Sequence, residues 1–274
     1  METILDTIAA HAKERVEAAK QRISLQEIRK NAEIRAKIEP VEQKFAFTEA
    51  LRKGKSSDYG IAFICECKKA SPSKGLIAPD FPYLQIAKDY EAAGASCISV
   101  LTEPKWFLGS DNYLSEIAAT VRIPCLRKDF TVDEYMIYEA KLLGASAVLL
   151  ICSILSDAQL RDYLALCRSL GLFALTEVHD EGELAVAVDA GAELVGVNNR
   201  NLKDFTVDKE NSHRLRQLVP DGILFVSESG VRTPEDVALL RKMGADAVLV
   251  GEALMRADDK NAKLRELALG EMVR

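Results

Sequence analysis

The chain has 274 residues, 48% of them apolar, with a net charge of −6 and a pI near 5.3. That length suits one large α/β barrel, and the acidic balance argues against a general nucleic-acid binder, which carries a basic field. No uninterrupted apolar run reaches the roughly 18 residues of a membrane span.

The amino terminus, METILDTIAAHAKERVEAAK, has neither a basic start nor an apolar signal core, so a cytoplasmic protein is expected. Residues 1–50 read as polar, Lys/Glu-rich helices. One of them, SLQEIRKNAEIRAKI, opens on Ser24 as a cap with Glu27 three residues later. This part is expected to be a helical extension packed on one end of the domain that follows, residues 51–274.

Four later passages look alike: EAAGASCISVLTE (91–103), KLLGASAVLLICS (141–153), VDAGAELVGVNNR (188–200) and RKMGADAVLVGEA (241–253). Each reads as a helix end, a Gly-Ala stop and a short β-branched run ending in polar residues. Their glycines, Gly94, Gly144, Gly191 and Gly244, recur at roughly fifty-residue intervals, twice a strand-plus-helix unit. The gaps supply the missing strands in YGIAFICECK (59–68), RIPCLRKDF (122–130), GLFALTEVH (171–179) and DGILFVSESG (221–230). Helical patterns lie between them, the last opening on Thr233 as a cap with Pro234 at the first helical position. Eight evenly spaced alternations predict a (β/α)8 TIM barrel; a doubly wound sheet is the alternative, which the even spacing disfavours.

A barrel keeps its chemistry at the carboxyl ends of its strands. Strand one ends in Ile64-Cys65-Glu66-Cys67-Lys68, where alternation puts Glu66 and Lys68 on one face and the two cysteines on the other. The same rule turns Lys128, Glu177, Asn198 and Glu228 inward at the ends of strands three, five, six and seven. Charges meeting inside a barrel must pair, and a salt-bridge network closing the top is the bland explanation. Acids and bases that perturb one another are also what proton-transfer chemistry needs. The six cysteines form no C-x-x-C pair and read as small core hydrophobes. The three histidines lack metal-ligand spacing, so no metal is expected, and His179 reads as a wall residue. Loops SESGVRTPE and VGEALMR suit a phosphate, with Gly230 and Gly251 offering backbone amides, Ser229 a hydroxyl, and Glu252 turning its side chain away.

CECKKASPSKG (65–75) resembles the first-strand signature of indole-3-glycerol phosphate synthases, close to E-x-K-x-x-S-P-S-x-G. LTEPKWFLGS, PCLRKDF, LTEVHDEGEL, VGVNNRNL, VSESGV and VGEALM are similar to further family segments, in order, across residues 45–256. The amino-terminal ILDTIAAHAKERV fits that family's extension. The resemblance implies decarboxylating and dehydrating ring closure of 1-(2-carboxyphenylamino)-1-deoxyribulose 5-phosphate, in tryptophan biosynthesis. It implies Lys128 as the general acid at the ribulose carbonyl and Lys68 as the substrate-carboxylate holder and acid in dehydration. Glu66 and Glu177 become the candidate bases, with their division of roles open, while Asn198 and Glu228 position hydroxyls and the lysines. Arg200 would sit near the rim. The phosphate would lie against Ser71, Ser229, Gly230, Gly251 and the Glu252 amide, and the aromatic ring among Phe107, Phe130, Leu149 and Ile151. Trp106 either contacts the ring or packs the loop, and Lys74 reads as a solvated loop charge.

No cofactor is implied, since the electrons stay on the substrate. Monomer is the default, and too few residues follow strand eight for a fused second barrel. Another phosphate-binding barrel, such as phosphoribosylanthranilate isomerase, leaves the two lysines and two glutamates of strands one, three and five unexplained. A catalytically silent barrel is disfavoured by the presence of both Lys128 and Glu177.

Overall fold

The computed structural model describes residues 3–201 and 205–270. Eight parallel strands close into a barrel: Ala62–Cys67, Cys97–Leu101, Cys125–Lys128, Ala147–Ile151, Phe173–Val178, Leu194–Asn198, Leu224–Glu228 and Ala247–Val250. Each pairs with the next in sequence, and strand eight returns to strand one with Ala62 opposite Ala247 and Cys65 opposite Val250. The strands are buried on both faces, which is why they read as aliphatic runs rather than alternating ones. This is a TIM barrel.

Capping residues set where the outer helices begin. Ser156, Asp180 and Thr233 each accept a backbone N–H from the first turn, and Pro234 follows Thr233 at the helix start. The four repeat glycines end helices or turns with φ of +91°, +89°, +89° and +77°, a left-handed conformation in which a side chain is strained.

Three helices precede strand one: Ile4–Lys20, Leu25–Ile38 and Ala46–Lys55. The first carries Ile4, Leu5 and Ile8 to the wall of the cavity at the carboxyl end of the barrel. The second lies along the helix Glu134–Leu143. The third runs past residue 50 beneath the opposite end, where Lys55 pairs with Asp246, just before strand eight. The six cysteines are buried and unpaired. With Glu66 turned inward, Cys65 and Cys67 occupy the outer face of strand one.

Candidate active site

Register decides which side chains meet at the carboxyl end. Strand five sets Glu177 opposite Gly196, and strand six sets Asn198 opposite Glu228. Above buried Leu126, Leu175 and Val226, the inward positions change from aliphatic to charged. Glu66, Lys68, Lys128, Glu177, Asn198 and Glu228 all line one cavity of about 390 Å³, within the range of small-molecule sites.

Lys128 is the hub. Its Nζ donates to Glu177 Oε2 at 3.0 Å and lies 3.5 Å from Glu228 Oε2. Glu177 Oε1 accepts from Asn198 Nδ2 at 3.1 Å, and Asn198 Oδ1 accepts the Arg200 amide at 3.0 Å. Lys68 pairs with Glu66 on the adjoining wall. Burial opposes the charge on Lys128, but Glu177, Glu228 and Glu66 outweigh it and hold the ammonium above the usual lysine range. Burial also opposes ionisation of Glu177, yet Lys128, His179 and Asn198 keep its carboxyl below its ordinary value. Glu228 goes the other way. Burial pushes it up to about 7; Lys128 pulls against the rise, while Glu177 and Glu66 add to it. Two neighbouring carboxyls driven apart in this way give one mouth both an ionised base and a protonatable acid.

Ser71, Ser229, Gly230, Gly251 and Glu252 line one side of the cavity, and Phe107, Phe130, Leu149 and Ile151 form an apolar wall. Phe107 and Phe130 lie with ring centroids 6.2 Å apart. Gly251 stands where a Cβ would run into Glu66 Oε2 and come within 2.9 Å of Lys68 Nζ. Glu252 is held by Arg256 Nε at 3.1 Å, with Lys74 Nζ 3.9 Å away. Lys74 is exposed but lies on the cavity rim, so its charge belongs to the mouth as well as to the solvent. Arg200 also lines the cavity, its guanidinium donating to the Phe205 carbonyl at 3.1 Å. Trp106 lies outside the lining. Its ring meets His11 edge-on at 5.2 Å, with Lys105 Nζ 4.7 Å from its centroid.

The sequence profile described as indole-3-glycerol phosphate synthase matches residues 5–267. The chain belongs to the indole-3-glycerol phosphate synthase family. An indole-3-glycerol phosphate synthase of Ruminiclostridium cellulolyticum is 55% identical over 96% of this chain and 98% of its own length. One from Endomicrobium trichonymphae is 50% identical over 96% and 99%. Among solved structures, a thiamine phosphate pyrophosphorylase from Pyrococcus furiosus superposes with a TM-score of 0.57 at 17% identity, covering 79% of this chain and 98% of that one. That likeness concerns the barrel fold alone.

This indole-3-glycerol phosphate synthase family member also has residues at the mouth that sequence reasoning passed over. Asp129, buried beside Lys128, accepts two hydrogen bonds from Arg15 of the first helix, at 2.7 and 3.1 Å. Glu103, fully buried, accepts the backbone N–H groups of Lys105, Trp106 and Phe107 at 3.0, 2.7 and 3.0 Å. It thereby fixes the loop that carries Phe107 to the cavity. The Phe107 carbonyl in turn accepts the Ala70 amide at 3.2 Å, tying this loop to the SPSKG turn. A glutamate three residues before two aromatics is the only sequence signal for this, and it names no partner.

Proposed function

We propose that the mouth performs the ring closure of 1-(2-carboxyphenylamino)-1-deoxyribulose 5-phosphate to indole-3-glycerol phosphate, with release of carbon dioxide and water, through the side chains just described. The observation that carries this reading is Lys128 seated between Glu177 and Glu228 on the cavity floor. A lysine held protonated among carboxylates can give its proton to the ribulose carbonyl as the ring carbon attacks it. Carbon dioxide then leaves and the ring carbon regains its π bond.

Dehydration follows. Lys68 donates to the departing hydroxyl, while Glu66 or Glu177 removes the proton whose loss completes the indole. Asn198 fixes Glu177 and, with Glu228, orients the substrate hydroxyls. The phosphate rests on Ser71, Ser229 and the amides of Gly230, Gly251 and Glu252, while the Arg256 contact holds the Glu252 carboxylate. Phe107, Phe130, Leu149 and Ile151 enclose the aromatic ring, and Arg200 closes the rim.

Charge balance supports an anionic substrate. Seven Lys and Arg residues face five Asp and Glu residues around the cavity, in a chain whose net charge is −6. Such a locally positive mouth concentrates a phosphorylated carboxylate. The reading includes a cytoplasmic monomer working without cofactor. Six buried, unpaired cysteines fit a reducing compartment, and no helix among the described residues is long and apolar enough to cross a membrane.

The test is to supply the purified chain with the carboxyphenylamino-deoxyribulose phosphate and follow indole fluorescence. Stoichiometric indole product with carbon dioxide release is expected. Tight binding without turnover would turn the reading toward a silent barrel.

A further inference from the structure

We propose that His179, clamped by Glu183, is a positioning residue that keeps Glu177 in its carboxylate form and aligned with Lys128. This deepens the proposed function and rests on its assignment of Glu177 as a base.

The pairing is built at the end of strand five. His179 follows the last strand residue, Val178, and its ring is held from behind. Glu183 Oε2 accepts the His179 backbone N–H at 2.8 Å and lies 3.1 Å from its Nδ1. Asn211 Nδ2 donates to the His179 carbonyl at 3.0 Å. Glu183 is itself fixed, because its amide donates at 2.9 Å to Asp180, the cap of the helix Glu181–Asp189. With Nδ1 committed to Glu183, the ring turns Nε2 towards Glu177 Oε1, 3.4 Å away. That Nε2 is buried and has no hydrogen-bond partner among the described residues, so Glu177 is the charge it addresses.

Glu177 thus has a cation on each side. Lys128 approaches Oε2 at 3.0 Å, and His179 approaches the other oxygen, Oε1, at 3.4 Å. A second carboxylate on the far nitrogen favours the imidazolium, as in other carboxylate–histidine pairs. Glu228 reinforces that preference across the mouth, while burial works against it. The outer side of His179 opens on a polar chamber that also contains Asp180, Asp208, Arg200 and Arg214. Cys152, at the end of strand four, adds no charge near neutral pH, since burial pushes its thiol up to about 12. Leu5 of the first helix also lines that chamber. Glu183 and Glu177, at 3.1 and 3.4 Å from the two ring nitrogens, outweigh the burial that opposes the charge.

Coupling between two titrating groups is reciprocal, so it can be read from either side. The chain has three histidines, and the His179 ring resonance is identified by its loss in His179→Asn. Titrating that resonance in wild type and in Glu177→Gln tests the contact without requiring turnover. The His179 pKa is expected above the ordinary histidine value and to fall by about one pH unit when the Glu177 charge is removed. The acid limb of kcat/KM should move up by a similar amount in His179→Asn, with KM little changed, and added imidazole should partly restore His179→Ala.

A His179 pKa indifferent to Glu177→Gln overturns the proposal, even in a fully active enzyme. A loss of rate with an unmoved acid limb also overturns it, because that is what a purely structural wall residue gives. Coupling in the titration of a chain that makes no indole product would leave the His179–Glu177 contact standing and remove the proposed function.

Discussion

Arg15, on the first helix, grips Asp129 through two hydrogen bonds, and Asp129 is the residue next to Lys128. Asp129 also accepts from Thr102 Oγ1 at 2.6 Å and from the Phe130 amide at 2.7 Å. The backbone carrying both Lys128 and the cavity residue Phe130 is therefore anchored to a helix 114 positions away in sequence.

Removing Arg15 leaves that carboxylate buried with its main cation gone. Arg15→Met should cost about 3 kcal/mol, the low end for an unpaired buried charge, read as a lower urea midpoint. Burial alone would raise the Asp129 pKa, but Arg15 and Arg127 outweigh it and depress the value. A depressed carboxyl contributes stability above its unfolded pKa and loses it as pH falls through the folded one. The deficit of Arg15→Met relative to wild type should therefore shrink as the pH drops below about 4. A deficit constant from pH 3 to pH 7 would contradict the ion-pair account.

Glu228 titrates with the opposite sign. Its folded pKa, about 7, stands above the ordinary 4.5, so the protonated form is favoured by the fold. The associated stability is present in full below the unfolded pKa and is lost as pH rises through the folded value. Glu228→Gln, which mimics the neutral acid, should flatten that part of the wild-type stability curve between about pH 5 and 8. Urea denaturation at several pH values measures it, and parallel curves for the two proteins would rule the shift out.

Gly251→Ala tests the close approach over strand one. The new Cβ would push on the paired ends of Glu66 and Lys68, which are flexible, rather than on backbone. Activity should fall more than stability, which should change by no more than about 1–3 kcal/mol. Comparing kcat/KM with the melting temperature separates the two, and an active enzyme with a collapsed melting temperature would mean that the glycine serves folding.

Most of the barrel and its mouth was legible because both depend on local periodicity. Gly-Ala stops and aliphatic runs marked the strands, and alternation turned Glu66, Lys128 and Glu177 inward while sending Cys65 and Cys67 outward. What escaped depends on partners distant in sequence. Nothing in ERVEAAK indicates that Arg15 will meet Asp129, and nothing around Arg127 indicates that it will be buried against Asp111 and Glu139 at 2.7 Å each. Glu103 escaped for another reason. It sits past the end of strand two, where alternation no longer tells which way a side chain points, and its partners are backbone amides that any sequence supplies. His179 reads as a wall residue by residue type, and only its distance to Glu177 suggests more.

The proposed ring closure depends on Lys128 as its proton donor. The most direct measurement is a single-turnover comparison of wild type with Lys128→Met, following indole product with substrate binding checked separately. The prediction is a rate at least about a hundredfold lower in a folded variant that still binds substrate, the usual loss for a general acid. Equal single-turnover rates in the two proteins would contradict it and move the acid role to Lys68.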